Sequence, residues 1–192
     1  MPEKIADGKG GGTLLEITND NRANVSSKSS RRIYYASRDL QSAYSVNWAC
    51  TPSLAGAANV IGYLTYSGNK NLYIDRIYLS TEESTGNLTK FGLWADSTFA
   101  LGTLTTTSNL NLTSSLTTDV TTYHDANGGA GAITTSGGSS VGTVRLSGSG
   151  TFEWIYDGAL ILGNGNTFGI KATGVSATAL TRATIHFWEE KK

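Results

Sequence analysis

The side chains able to do acid–base, nucleophilic or metal chemistry are few in this chain, and their spacing does not suit it. Only two histidines are present, His124 and His186. His124 opens the glycine-rich stretch His124-Asp125-Ala126-Asn127-Gly128-Gly129, and His186 alternates with Ile185 and Phe187 near the C-terminus. Neither stands in a His-x-Glu or His-Glu-x-x-His pattern, the spacing that sets two ligands on one metal ion. The single cysteine, Cys50, rules out an intrachain disulfide and a multi-thiolate zinc centre. Within an apolar strand it reads as a small buried side chain rather than a nucleophile. A glycosidase needs two carboxyl groups roughly 5–10 Å apart. Glu82 and Glu83 are adjacent, so a strand would send them to opposite faces, and a solvated loop explains them better. Glu153 and Asp157 fall on a strand and its turn. Asn19-Asp20-Asn21 and Asp125-Ala126-Asn127-Gly128 offer calcium-type oxygens without the twelve-residue loop and terminal Glu. Gly8-Lys9-Gly10-Gly11-Gly12-Thr13 lacks the order of a phosphate loop, and Ser147-Gly148-Ser149-Gly150 is no nucleophile elbow. The expectation is a non-enzymatic protein with no catalytic residues, no metal and no cofactor.

The elements that must carry these residues are β-strands. In 192 residues there are 26 Thr, 23 Gly, 21 Ser and 13 Asn, a vocabulary of strands and turns, while charged residues make up only 16%. Fifteen Lys and Arg balance fifteen Asp and Glu. That neutrality argues against nucleic acid and membrane surfaces as partners, since both require clustered cationic charge. No run approaches the roughly 18–20 apolar residues of a membrane span, and residues 1–12 lack the apolar middle of a secretory signal, which points to synthesis in a cytoplasm. Residues 1–12 read as a short flexible N-terminal arm, and 13–192 as a single domain.

Within that domain, strands are expected at 13–18, at Ile33-Tyr34-Tyr35 and at Ala43–Cys50, where Tyr44, Val46 and Trp48 recur at period two. Segments 59–67 and 71–80 flank Gly68-Asn69-Lys70 and read as a β-hairpin. In the second of them the apolar parity changes near Asp75-Arg76, which predicts a bulge or burial of both faces. Phe91–Trp94 adds a short strand. Residues 98–140 carry too little apolar surface for a core of their own and are expected to drape over the sheets through a few leucines among 101, 104, 110, 112 and 116. Five strand-length segments follow, at 141–146, 151–156, 159–162, 167–173 and 183–189, separated by Gly148-Ser149-Gly150, Asp157-Gly158 and Gly163-Asn164-Gly165-Asn166. The fold class is therefore all-β, an antiparallel two-sheet β-sandwich of the jelly-roll type.

Four tryptophans need places in it. Trp48, Trp94 and Trp154 share phase with apolar neighbours and are expected inside. Trp188 shares parity with Thr184 and His186 and is the candidate exposed or oligomer-interface ring. With few charges to guard its strand edges, the sandwich is expected to cover them with neighbouring copies in a closed homo-oligomer.

Five runs together resemble a group of tailed-bacteriophage virion proteins: Thr18–Ala23, Ala43–Trp48, Leu72–Leu79, Asp157–Gly163 and Ala183–Glu190. The likeness spans most of residues 13–190. It implies a jelly-roll structural protein displayed on the particle, a trimeric capsid decoration or head-fibre component with no enzymatic step. On that reading the protein sits on the outer capsid surface of the virion and stabilises the shell by bridging the major capsid protein. The arm around residues 1–24 would make the contact, with Arg22, Arg31 and Arg32 facing shell carboxylates. The alternative is a host-attachment or carbohydrate-binding β-sandwich on the head or tail, with a surface glycan as partner.

Overall fold

The computed structural model describes residues 4–6, 14–16, 32–51, 58–83, 88–125, 133–175 and 179–190. The chain divides into two compact units, Met1–Ser30 and Arg31–Lys192. In the first, β1 (Lys4–Ala6) pairs antiparallel with β2 (Leu14–Glu16), setting Ile5 opposite Leu15. A strand therefore lies within residues 1–12, and β2 falls inside the one expected at 13–18. Arg22 and Arg31 lie outside the described residues.

The second unit opens with α1 (Arg32–Arg38), followed by β3 (Ala43–Cys50), β4 (Asn59–Tyr66), β5 (Asn71–Thr81) and β6 (Leu88–Ala95). An insertion supplies β7 (Thr98–Ala100), β8 (Thr103–Thr105), β9 (Ser108–Asn109), β10 (Val120–His124) and β11 (Thr134–Ser136). The chain ends with β12 (Ser139–Ser147), β13 (Gly150–Leu162), β14 (Thr167–Thr173) and β15 (Thr181–Glu190). Two antiparallel sheets form, one ordered β12-β6-β14-β4-β10-β8 and the other β13-β5-β15-β3-β9, while β7 and β11 pair separately. Leaving the insertion aside, successive strands change sheet at every connection except β6 to β12, which are neighbours in the six-stranded sheet. This alternation over eight strands is the jelly roll.

Period-two patterning explains what each sheet buries. Tyr44, Val46, Trp48 and Cys50 of β3 and Ala183, Ile185 and Phe187 of β15 meet Ile61, Leu64, Phe91, Leu93, Phe168 and Ile170 of the facing sheet in one core. At Gly62 a Cβ would stand 2.3 Å from the Trp48 ring, so only glycine lets the two sheets close there.

Three expectations need correcting. Ile33-Tyr34-Tyr35 is not a strand but part of α1, because Ile33 and Ala36, three apart, share a helical face that packs on Trp188. Gly68-Asn69-Lys70 does not close a hairpin: β4 and β5 lie in opposite sheets, and the loop is a corner between them. Residues 151–156 and 159–162 are one strand, β13, since Asp157 (φ 47°) and Gly158 (φ 81°) take left-handed conformations that bulge the strand instead of reversing it. The parity change near Asp75 is a bulge as expected. Arg76 pairs with His186 and Ile74 with Phe187, leaving Asp75 as the extra residue.

Candidate functional site: two outer faces and an open seam

The Asp75 bulge builds a charged cluster on the outer face of the five-stranded sheet. It turns the Asp75 side chain into a buried position beside Arg76. Arg76 Nε donates to Asp75 Oδ2 at 2.7 Å, and its Nη1 donates across to Glu153 Oε1 on β13 at 2.6 Å. The bond to Asp75 first, and then one from Nη1 to the Tyr78 hydroxyl, holds the guanidinium above its ordinary pKa. Beside it, His186 meets the Tyr78 ring edge-on at 5.4 Å, and burial lowers the imidazole pKa. A groove of about 490 Å³ runs along this face past Tyr78, Ser80, Thr151, Glu153, Arg182 and Thr184. Arg182 is ion-paired with Glu82. The two glutamates expected in a solvated loop thus part company, Glu82 being exposed and Glu83 fully buried.

Trp188 is not on the surface. Its side faces outward, as its parity with His186 requires, but the residue is 1% exposed. α1 lies over it, with Ile33 and Ala36 packing against the indole and Tyr73 stacking on it at 5.2 Å and 9°. Gly158 leaves room for the ring, since a Cβ there would meet it at 2.4 Å. No exposed ring remains at this position for a second copy to grip. Arg32, the third candidate contact, is exposed at the start of α1 with Nη1 3.9 Å from Glu190 Oε2.

The remaining chemistry-bearing residues are held by local structure. His124 ends β10, and its Nδ1 is 2.7 Å from Thr105 Oγ1. Cys50 is buried, and its thiol pKa is pushed up to about 12 by burial and by the Asp125 charge. Glu189 lies buried where the insertion meets β15. It accepts bonds from Thr118 Oγ1 and from the Asp119 amide at 3.1 Å, with Lys70 Nζ 3.6 Å away. Among the described residues no three His, Cys, Asp or Glu side chains group at metal-ligand distances. Nor is any helix there long and apolar enough to cross a membrane.

A second feature is the seam between β12 and β13, which form one edge of each sheet and face one another. Gly142 sits against the Trp154 ring, where a Cβ would stand at 2.6 Å. Val144 and Leu146 from β12 and Phe152, Trp154, Tyr156 and Leu160 from β13 pack on the core yet stay only half-buried. Along β13, Phe152 meets Trp154 edge-on and Trp154 stacks on Tyr156 at 6.0 Å. Trp48 is fully buried as expected, Trp154 reaches the core without being sealed, and Trp94 lies on the outer face of the six-stranded sheet. Trp94 shares parity with Gly92 and not with the core residues Phe91 and Leu93, so its phase places it outside, against the expectation of burial.

No family model and no curated protein matches the chain. Among solved structures, the infectious bursal disease virus VP2 subviral particle aligns at 17% identity, with a TM-score of 0.17. The alignment covers 77% of this chain and 41% of that one. A superposition of that quality carries no functional inference. What the observed geometry defines is a class, the two-sheet jelly-roll β-sandwich, and it does so through strand order alone.

Proposed function

We propose that this chain is a non-enzymatic virion structural protein that works by assembling. It forms a closed homo-oligomer, a trimer on the family resemblance, and binds the major capsid protein on the outer surface as a decoration that stabilises the shell. The observation that supports assembly is the contrast between the two sides of the sandwich. One side ends in β8 and β9, strands of three and two residues supplied by the insertion. The other ends in β12 and β13, nine and thirteen residues long, side by side and flanking the half-buried seam. Neither long edge contains Pro or Lys, two of the usual guards against strand addition. A second copy placed there would cover Phe152, Trp154 and Tyr156 and supply partners for the bare edges.

The test has two readouts. Light scattering coupled to size exclusion is expected to give a discrete oligomer, and mass spectrometry of purified particles is expected to find the chain at fixed stoichiometry to the capsid protein. A monomer at micromolar concentration, or absence from particles, refutes the reading. The second reading, a host-attachment or carbohydrate-binding sandwich, has Trp94 in its favour, an outward indole set among hydroxyl side chains and lysines.

A further inference from the structure

Overall neutrality hides a segregated charge pattern. In the second unit Arg32, Arg38, Lys70, Arg76 and Arg182 each form an ion pair with a carboxylate. Lys90, Arg145 and Lys171 form none among the described residues, and strand register gathers all three on one face. Arg145 of β12 stands opposite Lys90 of β6, and Lys90 opposite Thr173 of β14. One pair further along, Thr143, Gly92 and Lys171 are aligned across the same three strands. Next come Ser140, Trp94 and Gly169. The intervening residues Val144, Phe91, Leu93, Ile170 and Ala172 point into the core, so this grid faces outward. Like charges directly opposite on adjacent strands destabilise a sheet. Here they stand without the carboxylates that serve every other described cation of the unit.

The grid is also concave. Gly92 at its centre contributes no side chain, and Trp94 leans over it, so that a Cβ there would lie 3.0 Å from the indole Nε1. The result is a groove of about 320 Å³ whose walls include Lys90, Trp94, Ser140, Thr143, Lys171 and Thr173. That is at the lower end of ligand-pocket size, roughly 300 Å³, and suits one ring rather than a folded surface. Lys171 Nζ lies 3.9 Å from the Trp94 ring centroid, and burial lowers its pKa. Among the described residues no acidic side chain lines the groove.

We propose that this groove binds an acidic saccharide, a sugar ring bearing a carboxylate. The carboxylate lies between Lys90 and Lys171 with Arg145 beside them, where the bonds are charge-assisted. The ring hydroxyls exchange hydrogen bonds with Ser140, Thr143 and Thr173, and the apolar face of the sugar runs along Trp94. Three cations are too few for a phosphate-tracking nucleic-acid site. A flat acidic protein surface would leave the dent at Gly92 unfilled. The inference does not depend on self-assembly or on a place in a virion.

Calorimetric titration of the full chain tests it with trigalacturonate, the same trimer as its neutral methyl ester, sialyllactose and poly-glutamate. Saturable binding of trigalacturonate or sialyllactose is expected, the stronger of the two identifying uronate or sialate, with binding of the ester weaker by about tenfold or more, as loss of charge-assisted bonds implies. Lys90→Gln and Lys171→Gln should each weaken binding by about tenfold on the same grounds, and Trp94→Ala should abolish it. Arg182→Gln on the opposite sheet should leave it unchanged. Arg145→Gln guards against misfolding of the other variants, since its removal relieves repulsion, and it too should weaken binding with an unchanged or raised unfolding midpoint. Absence of saturable binding by both acidic sugars overturns the proposal. So does equal binding of the ester, or poly-glutamate binding with the same variant dependence, which would assign the face to an acidic protein.

Discussion

Arg76 holds the carboxylates of Asp75 and Glu153 at once, and His186 sits within reach of that charge balance. Burial is the main cause of the lowered imidazole pKa, and Arg76 adds to it, while Asp75 and Glu153 act the other way. A base whose folded-state pKa lies below the ordinary 6.5 takes up protons more readily when unfolded. Its contribution to stability is therefore complete above that value and is lost as pH falls through the folded-state pKa. Urea midpoints are expected to fall as pH drops from about 7 to 5.5, and to fall less in His186→Gln, which carries no such proton. An identical slope in both proteins would mean that His186 is not the group responsible. Trp188 makes a different point on the same sheet face. Its ring is sealed by α1, Tyr73 and Gly158, so Trp188→Ala should open a cavity and cost about 3–5 kcal/mol of unfolding free energy by urea titration. A loss under 1 kcal/mol would show that α1 does not hold the ring.

At the scale of elements, the insertion between β6 and β12 attaches through aromatic rings rather than leucines. Leu101, Leu104, Leu112 and Leu116 are all exposed, whereas Phe99 and Tyr123 stack on either side of Tyr63 at 4.9 Å and Ile133 packs with them. Of the five leucines only Leu110 packs inward, against the Trp188 cluster. Glu189 ties down the far end of the insertion through Thr118 and the Asp119 amide. Glu189→Gln should cost about 1.5–3 kcal/mol, the usual worth of hydrogen bonds to a charged group, and speed amide exchange at Asp119 and Val120 relative to β14. Unchanged exchange there would mean that other contacts hold the loop. The bulge at Asp75 and seven of the eight sandwich strands were legible because side chains on a strand alternate with period two, whereas β13 read as two strands because Asp157-Gly158 has the composition of a turn. The helix at Arg32–Arg38 was not, since Ile33-Tyr34-Tyr35 favours strands and only docking on Trp188 selects the helix. The sheet change at Gly68-Asn69-Lys70 was equally hidden, because the same residues can close a hairpin or turn a corner. The cationic groove depends on register, which joins Arg145 to Lys90 and Lys171 to Gly92 across distant parts of the chain, and no local spacing announces it.

At the scale of the jelly-roll unit, the two sides of the sandwich solve the edge problem differently. On one side the insertion adds β8 and β9, whose brevity leaves little ladder for another chain to extend. On the other, the Asp157-Gly158 bulge leaves Gly150–Ile155 of β13 in regular register, and a bulge at Val141 interrupts β12 only near its start. Val141 on β12 and Ile155 on β13 are exposed, at 40% and 50%, and both point away from the core, so a charge at either should be tolerated by the isolated protomer. If copies join across this side, lysine at these positions must be desolvated against an apolar neighbour or keep the strands apart. The double variant Val141→Lys with Ile155→Lys is therefore expected to sediment as a monomer at concentrations where the parent protein is an oligomer. Its far-ultraviolet spectrum should be unchanged and its unfolding midpoint independent of protein concentration, as mass action requires once association is lost. An oligomer that survives both lysines would move the contact elsewhere and leave the long edges to be explained by the shell the protein binds.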